Sequence, residues 1–322
     1  MLPDKDDLRI CCAHSAYQLR REIESRNLGL QSFEVSAREE LPQRLKEADV
    51  LVVSGFWRNE LLESAPRLKF IQSIGAGTDQ FDRDALRKHG VRLASAQGVN
   101  ERAVSQHAMA LILAMARRLP EARDNQARHK WRGMISDLEQ REDELTGKTL
   151  LIIGLGRIGG RLAGLAKAFD MKVIGVRRNP RDGLNGAESV HSLEDLPQLL
   201  PQADFVTLTC PLTPETENVI NAAAFACMKP SAILVNAARG RCVDEAALLA
   251  ALQQGQISGA ALDVTVEEPL ASTSPLWDLP NVFITPHTAG ETRRYEKNVV
   301  DILVENLQRL WRGETGLRNQ IV

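Results

Sequence analysis

The stretch Leu151-Ile-Ile-Gly154-Leu-Gly156-Arg157-Ile158-Gly159 decides how this chain folds. An apolar run at 149–153 ends in three glycines spaced Gly-x-Gly-x-x-Gly. A helix-forming segment at 160–169 follows at once. Strand, tight turn and helix in that order suit a pyrophosphate. Gly154 permits the turn, Gly156 lets the backbone approach the phosphates, and Gly159 lets the helix pack closely on the strand. The positive end of the helix dipole attracts the anion. The alternative reading is a glycine turn without a ligand; the strand before it and the helix after it argue for the ligand.

Around this unit the chain alternates. Apolar runs at 149–153, 172–176, 205–209, 232–236, 260–264 and 282–285 read as strands with helical segments between them. Such alternation builds a parallel sheet covered by helices, here a doubly wound dinucleotide-binding sheet. Upstream, 8–13, 50–54, 69–74 and 91–95 read as strands of another α/β unit, with helical segments at 37–48 and 82–88. A long helix is expected over 101–118, stopping before Pro120. Its apolar positions Val104, Ala108, Leu111 and Met115 recur at helical spacing. One more long helix, 291–312, follows the last strand. Two α/β units suggest a cleft between them, a common place for a ligand.

Composition sets the outer bounds. The 322 residues are 43% hydrophobic and 25% charged, which suits about two domains. A net charge of −2 argues against nucleic acid or a membrane surface as partner. The longest apolar stretch, 108–116, is far short of the ~20 residues of a membrane helix. The polar start Met1-Leu-Pro-Asp-Lys-Asp-Asp has no apolar core of a signal peptide. Cys11, Cys12, Cys210, Cys227 and Cys242 lack metal-ligand spacing, so reduced thiols, a cytoplasmic setting and no metal are expected.

Three polar groups follow apolar runs of the second series. Arg239 ends Leu234-Val-Asn-Ala-Ala-Arg239, and ligands of open α/β sheets bind at the carboxyl ends of strands. It is placed to offer a bidentate fork to a carboxylate. Asp244 reads as the N-cap of a helix at 245–253. Asp263 ends the next strand, with Glu267, Glu268 and Pro269 on the loop beyond it. His287 follows the last strand. A carboxylate that orients a histidine and raises its pKa makes an acid or base usable near neutral pH. Singly, each of these residues also reads as an ordinary loop side chain. Together at one sheet edge they point to a reactive site.

The ordered set Gly154-x-Gly156-x-x-Gly159, Pro211-Leu-Thr-Pro-Glu-Thr216, Val235-Asn-x-x-Arg239-Gly, Leu262-Asp263-Val, Glu268-Pro and Pro286-His287 resembles the D-isomer-specific 2-hydroxyacid dehydrogenase family. The segment Leu68-Lys-Phe-Ile-Gln-Ser-Ile-Gly-Ala-Gly77-Thr-Asp79 is similar to that family's substrate-domain loop, and Gly147-Lys-Thr to the opening of its cofactor domain. The resemblance covers essentially the whole chain. It implies an α/β fold of two doubly wound parallel-sheet domains with a cleft between. One is a Rossmann-type cofactor domain over 99–287; the other is a flavodoxin-like split substrate domain over 1–98 together with 288–322. It also implies a homodimer.

The same resemblance implies site roles. Arg239 grips the carboxylate of a 2-oxo acid, His287 donates a proton to its carbonyl oxygen, and Glu268 orients the imidazole. Backbone N–H groups of Ala76 and Gly77 complete the carboxylate site. Asp263 holds the nicotinamide carboxamide, and Arg157 and Ile158 face the pyrophosphate. Cys210, Pro211, Thr216, Ala237, Ala238 and Gly290 line the cofactor with His287. Two positions depart from the family's pattern. Val104-Ser-Gln106-His107 stands where Val-Ala-Glu-His is common, which predicts a local packing change. Cys210 stands where histidine is frequent, which predicts altered cofactor contacts.

About twenty residues beyond the glycine turn, an NAD-selective sheet carries Asp or Glu for the ribose 2′-hydroxyl. Here 172–176 runs into Arg177-Arg178-Asn179, with no acid between Met171 and Arg181. Arginine pairs with a 2′-phosphate, so NADP(H) is expected over NAD(H). The alternative is that both arginines sit in solvent and either cofactor serves. The expected activity is reduction of a small 2-oxo acid of glyoxylate or hydroxypyruvate type. Two alternatives stay open: an NAD-dependent D-3-phosphoglycerate dehydrogenase lacking a regulatory domain, and a nucleotide-sensing co-repressor-like scaffold. Phe56-Trp57 reads either as a cap favouring a small or apolar substrate side chain or as ordinary packing.

Overall fold

The computed structural model describes residues 2–322. The chain forms two compact units, Met1–Asn100 with Thr292–Val322, and Glu101–Glu291. The first holds β1 (Arg9–Ala13), β2 (Gln31–Val35), β3 (Val50–Val53), β4 (Phe70–Ser73) and β5 (Arg92–Ala94). All pair in parallel, in the order β2-β1-β3-β4-β5. That is the flavodoxin order.

Successive side chains of a strand face opposite ways, so a sheet covered on both sides needs two cores. Val50 and Val52 pack with Leu8, Ile10 and Phe70 against Val299, Ile302 and Leu303 of the helix Tyr295–Trp311. Leu51 and Val53 pack on the other face with Leu41, Leu45 and Leu93. The C-terminal helix therefore completes the N-terminal unit. Its fully buried Asn306 donates to Gln72 Oε1 at 3.1 Å and accepts from the Arg318 N–H at 2.8 Å. The tail after it covers the edge of β5: the Leu93 and Ser95 N–H groups donate to the carbonyls of Val322 and Asn319. Trp57 is 1% exposed and stacks on Phe81, so of the pair at 56–57 it is a core residue and no substrate cap.

The second unit holds β6 (Thr149–Ile153), β7 (Lys172–Val176), β8 (Ser189–His191), β9 (Phe205–Leu208), β10 (Ile233–Asn236), β11 (Gly259–Leu262) and β12 (Val282–Ile284). They form one parallel sheet in the order β12-β11-β10-β9-β6-β7-β8. Leu150 and Ile152 face the helices Glu101–Ala116 and Arg157–Lys167 through Ala108, Ile112, Leu162 and Ala166. Leu151 and Ile153 face the opposite core with Leu208, Phe225 and Leu248. Strand order reverses at β6, with β7 on one side and β9 on the other. Ligands of doubly wound sheets bind at that reversal, beyond the strand carboxyl ends.

Three elements differ from the sequence expectation. Both β2 and β8 lie at sheet edges, half exposed, and so lack the apolar run that marks a central strand. The long helix ends at Ala116, because Arg118 takes a left-handed φ of +50°. Pro120 breaks nothing: it sits in the first turn of a further helix, Leu119–Ala127, where its missing N–H is not needed. Among the described residues, no helix is long and apolar enough to cross a membrane.

Candidate active site

The glycine turn is built as its spacing demands. Gly154 takes φ +103°, and a Cβ there would stand 2.4 Å from the Cys210 backbone nitrogen. A Cβ on Gly159 would stand 2.5 Å from the Gly154 carbonyl oxygen. β6, β9 and the helix Arg157–Lys167 thus touch through hydrogen atoms only. Above Gly156 the space is open, and Gly156 begins the helix without a side-chain cap. The amides of Arg157 and Ile158 lie in that uncapped first turn, a cradle fit for a pyrophosphate.

Beyond β7 the structure adds an acid that lies just outside the expected window. Asp182 accepts from Arg177 at 3.1 Å through one oxygen and from Asn179 at 2.6 Å through the other. Arg177 is therefore already paired. Arg178 is the more available cation, with a side chain 81% exposed and 3.9 Å from Glu215.

Arg239, Glu268 and His287 leave the carboxyl ends of the adjacent strands β10, β11 and β12. His287 Nδ1 lies 2.7 Å from Glu268 Oε2, and the Thr265 N–H donates to Glu268 Oε1 at 3.2 Å. Burial pushes the Glu268 carboxyl up. The hydrogen bond and charge of His287, the Thr265 amide and the Arg239 charge outweigh it, and Glu268 sits below the usual carboxylate range. The bond to Glu268 raises the His287 pKa, against burial and the Arg239 charge. The pair is thus held toward imidazolium and carboxylate. With Nδ1–H given to Glu268, Nε2–H is the proton His287 can deliver.

The Arg239 loop is braced twice. Asn236 Oδ1 accepts the Ala238 N–H and Asn236 Nδ2 donates to the Arg239 carbonyl, each at 3.0 Å. A Cβ on Gly240 would stand 2.0 Å from the Thr265 carbonyl carbon, so the loops carrying Arg239 and Glu268 are in backbone contact. Arg239 itself donates to the Ala238 carbonyl at 2.7 Å.

His287 has a left-handed φ of +55°, an uncommon state for a residue with a Cβ. Asp263 keeps it there. Its carboxylate accepts the Thr285 hydroxyl at 2.6 Å and the Thr288 and Ala289 amides at 3.0 Å, while its carbonyl accepts the His287 N–H at 2.8 Å. His107 Nε2 stands 3.0 Å from Thr285 Oγ1 and 3.4 Å from Asp263 Oδ1. Burial raises the Asp263 pKa, but these partners together hold it below the ordinary range. Asp263, 2% exposed, anchors the histidine loop. Among the described residues its Oδ2 accepts only from Ala289, which leaves capacity for a further donor. The anchoring role was not legible in sequence, because the partners are backbone groups and a threonine 22 residues away.

The other expected residues lie as follows. Thr216 Oγ1 is used inside its own loop, donating to the Pro211 carbonyl at 2.6 Å and accepting the Thr213 N–H at 2.8 Å. Pro211 is exposed at the loop's start; Cys210 is buried, its sulfur 3.9 Å from that of Cys242. The Ala237 N–H donates to the Leu208 carbonyl and the buried Ala238 donates to Asn236 Oδ1, so neither amide is free. Gly290 lies in the turn after Ala289. In the first unit, Ala76 is exposed and Gly77 half-buried on the loop after β4.

Comparison with known proteins adds the following. The profile of the D-isomer specific 2-hydroxyacid dehydrogenase family, NAD binding domain, matches residues 109–289. The chain is 35% identical over 277 residues to the glyoxylate reductase of Korarchaeum cryptofilum, covering 84% of this chain and 82% of that protein. It is 40% identical over 282 residues to the D-3-phosphoglycerate dehydrogenase of Methanocaldococcus jannaschii, covering 86% of this chain and 52% of that protein. It spans about half the length of the D-3-phosphoglycerate dehydrogenases it matches. The NADPH-dependent glyoxylate/hydroxypyruvate reductase of Sinorhizobium meliloti, solved with NADP and malonate, superposes with a TM-score of 0.84 at 27% identity, covering 98% of this chain and 97% of that one.

Proposed function

This chain belongs to the D-isomer specific 2-hydroxyacid dehydrogenase family, and on that premise we propose that it is an NADP(H)-preferring reductase of small 2-oxo acids. One observation carries the reading. An imidazolium–carboxylate pair, His287 and Glu268, stands beside Arg239 at the carboxyl ends of three neighbouring strands. In the proposed reaction Arg239 binds the substrate carboxylate with two parallel N–H groups. Ala76 and Gly77 are assigned to the same carboxylate on the sequence resemblance. His287 gives its Nε2 proton to the carbonyl oxygen, and Glu268 keeps the ring in place and charged until then. When bound, a nicotinamide cofactor supplies the hydride to the carbonyl carbon. The glycine turn with Arg157 and Ile158 would hold its pyrophosphate, and Asp263 Oδ2 its carboxamide. Cys210, Pro211, Thr216, Ala237, Ala238 and Gly290 would line it. The small-molecule 2-oxo or 2-hydroxy acid is the partner this reading requires.

The NADP(H) preference rests on Arg178 first and Arg177 second. Arg178→Asp is expected to move the ratio of NADPH to NADH efficiency toward NADH, about tenfold or more. Asp182→Asn frees Arg177 and is expected to move the ratio the other way. No shift in either variant places recognition of the 2′-phosphate elsewhere.

The His287–Glu268 pair also sets a pH profile. Reduction needs the imidazolium, whose pKa is raised. The rate is therefore full below the free imidazole value and falls as pH rises through the higher, Glu268-supported one. Glu268→Gln removes the main cause of the rise, so its falling limb moves to lower pH. A limb that stays put in Glu268→Gln removes Glu268 from the acid's environment.

The deciding assay oxidises NADPH and NADH side by side with glyoxylate, hydroxypyruvate, pyruvate, phenylpyruvate and 3-phosphohydroxypyruvate. Fast NADPH oxidation with a small unphosphorylated acid supports the proposal. The 40% identity to a D-3-phosphoglycerate dehydrogenase favours one rival, which predicts activity confined to NADH and 3-phosphohydroxypyruvate. Tight cofactor binding without turnover on any acid marks a scaffold.

A further inference from the structure

We propose that Cys210 and Cys242 are a redox modification site: a small peroxide closes a disulfide between them, and the closed form is slow until a thiol reduces it. The two sulfurs stand 3.9 Å apart. Cys210 lies two residues beyond the end of β9, with its backbone against Gly154 of the glycine turn. Cys242 ends the short helical turn Gly240–Cys242, three residues beyond Arg239. The pair thus links the two loops assigned above to cofactor and substrate carboxylate.

The protons on the two sulfurs are unequally held. A hydrogen bond from Cys210 lowers the Cys242 pKa, and the Arg239 amide and charge add to this against burial. Cys210 is pushed the other way, by its bond to Cys242, by burial and by the Cys242 charge. In the S–H···S contact Cys210 is the donor and Cys242 the acceptor, which makes Cys242 the attacking sulfur of the proposal. Cys11 and Cys12 make the contrast. They are consecutive on β1, face separate cores, and burial pushes the Cys11 thiol up to about 12.

The chemistry closes with hydrogen peroxide as the oxidant. The Cys242 thiolate attacks one peroxide oxygen, the O–O bond breaks, and hydroxide leaves to become water. The resulting Cys242 sulfenic acid is attacked by the Cys210 sulfur. The S–O bond breaks, the second hydroxide takes the Cys210 proton, and an S–S bond forms. The two thiols together lose two electrons and two protons, and one peroxide becomes two waters. Both side chains are buried, Cys210 at 7% exposure and Cys242 at 0%. That restricts the oxidant to a small neutral molecule and disfavours a bulky disulfide such as oxidised glutathione.

Closure must bring the sulfurs from 3.9 Å to about 2.05 Å. Cys210 cannot move toward the glycine turn, because its backbone already touches Gly154. The approach comes from the Cys242 side chain and the turn Gly240–Cys242 that carries it, which continues directly from Arg239. Arg239 is pulled from its place and substrate KM rises.

The test treats the full-length protein with hydrogen peroxide and maps it without reduction. The expected product has lost two hydrogen masses, carries a peptide linking residues 210 and 242, and has lost two of its five thiols. Its 2-oxo acid KM rises about tenfold, and dithiothreitol restores both mass and rate. Cys242→Ala keeps its own starting KM through the same treatment. Peroxide-treated protein with no 210–242 link overturns the proposal, as does equal inactivation of Cys242→Ala. The loss of rate rests on the reductase reading; the mass and the peptide map do not, so the two fail separately.

Discussion

His287→Ala is expected to lower kcat for the proposed 2-oxo acid reduction by roughly 10²–10⁴-fold, the scale of a removed general acid. Cofactor binding persists, because the glycine turn leaves β6 while His287 leaves β12, at the far edge of the same sheet. Steady-state turnover and quenching of NADPH fluorescence read the two effects apart. At φ +55° alanine, like histidine, bears left-handed strain of about 1–2 kcal/mol. His287→Asn answers that concern, since asparagine tolerates the left-handed region and delivers no acidic proton. Both variants should be equally slow. Turnover near that of the parent in His287→Asn removes the acid role.

Arg239→Lys is expected to cost about 10–100-fold in kcat/KM, mostly in KM, because a point charge replaces a planar fork. The charge itself is kept. The Arg239 charge lowers the His287 pKa, so the falling limb of the pH profile should stay in place in Arg239→Lys. In Arg239→Gln that opposing charge is gone and the limb should move to higher pH. Parent-like kinetics in Arg239→Lys would take the carboxylate away from this residue. A limb that moves downward in Arg239→Gln would show that the guanidinium does not act on the imidazole.

Much of this site is local in sequence and was legible there. Gly154, Gly156 and Gly159 are specified by the geometry of one turn. Arg239, Glu268 and His287 each follow a recognisable strand, and parallel strands bring their carboxyl ends to one edge. What supports them is long-range. Asp263 holds the His287 loop through amides of residues 288 and 289 and a threonine hydroxyl, and none of these carries a sequence signal. Asp182 escaped because pairing with Arg177 depends on how the loop after β7 folds back. Trp57 reads alike as cap or core until the first sheet shows it 1% exposed.

The sequence by itself determined the alternation of strands and helices, the phosphate turn and the chemical groups at the strand ends, because period, glycine spacing and residue type are local properties. Only the tertiary structure decided the edge strands β2 and β8, the hold of Asp263 on the histidine loop and the approach of Cys210 to Cys242. Each of these joins residues distant in the chain, and their energy comes from burial and hydrogen bonds that exist only once the sheets have formed.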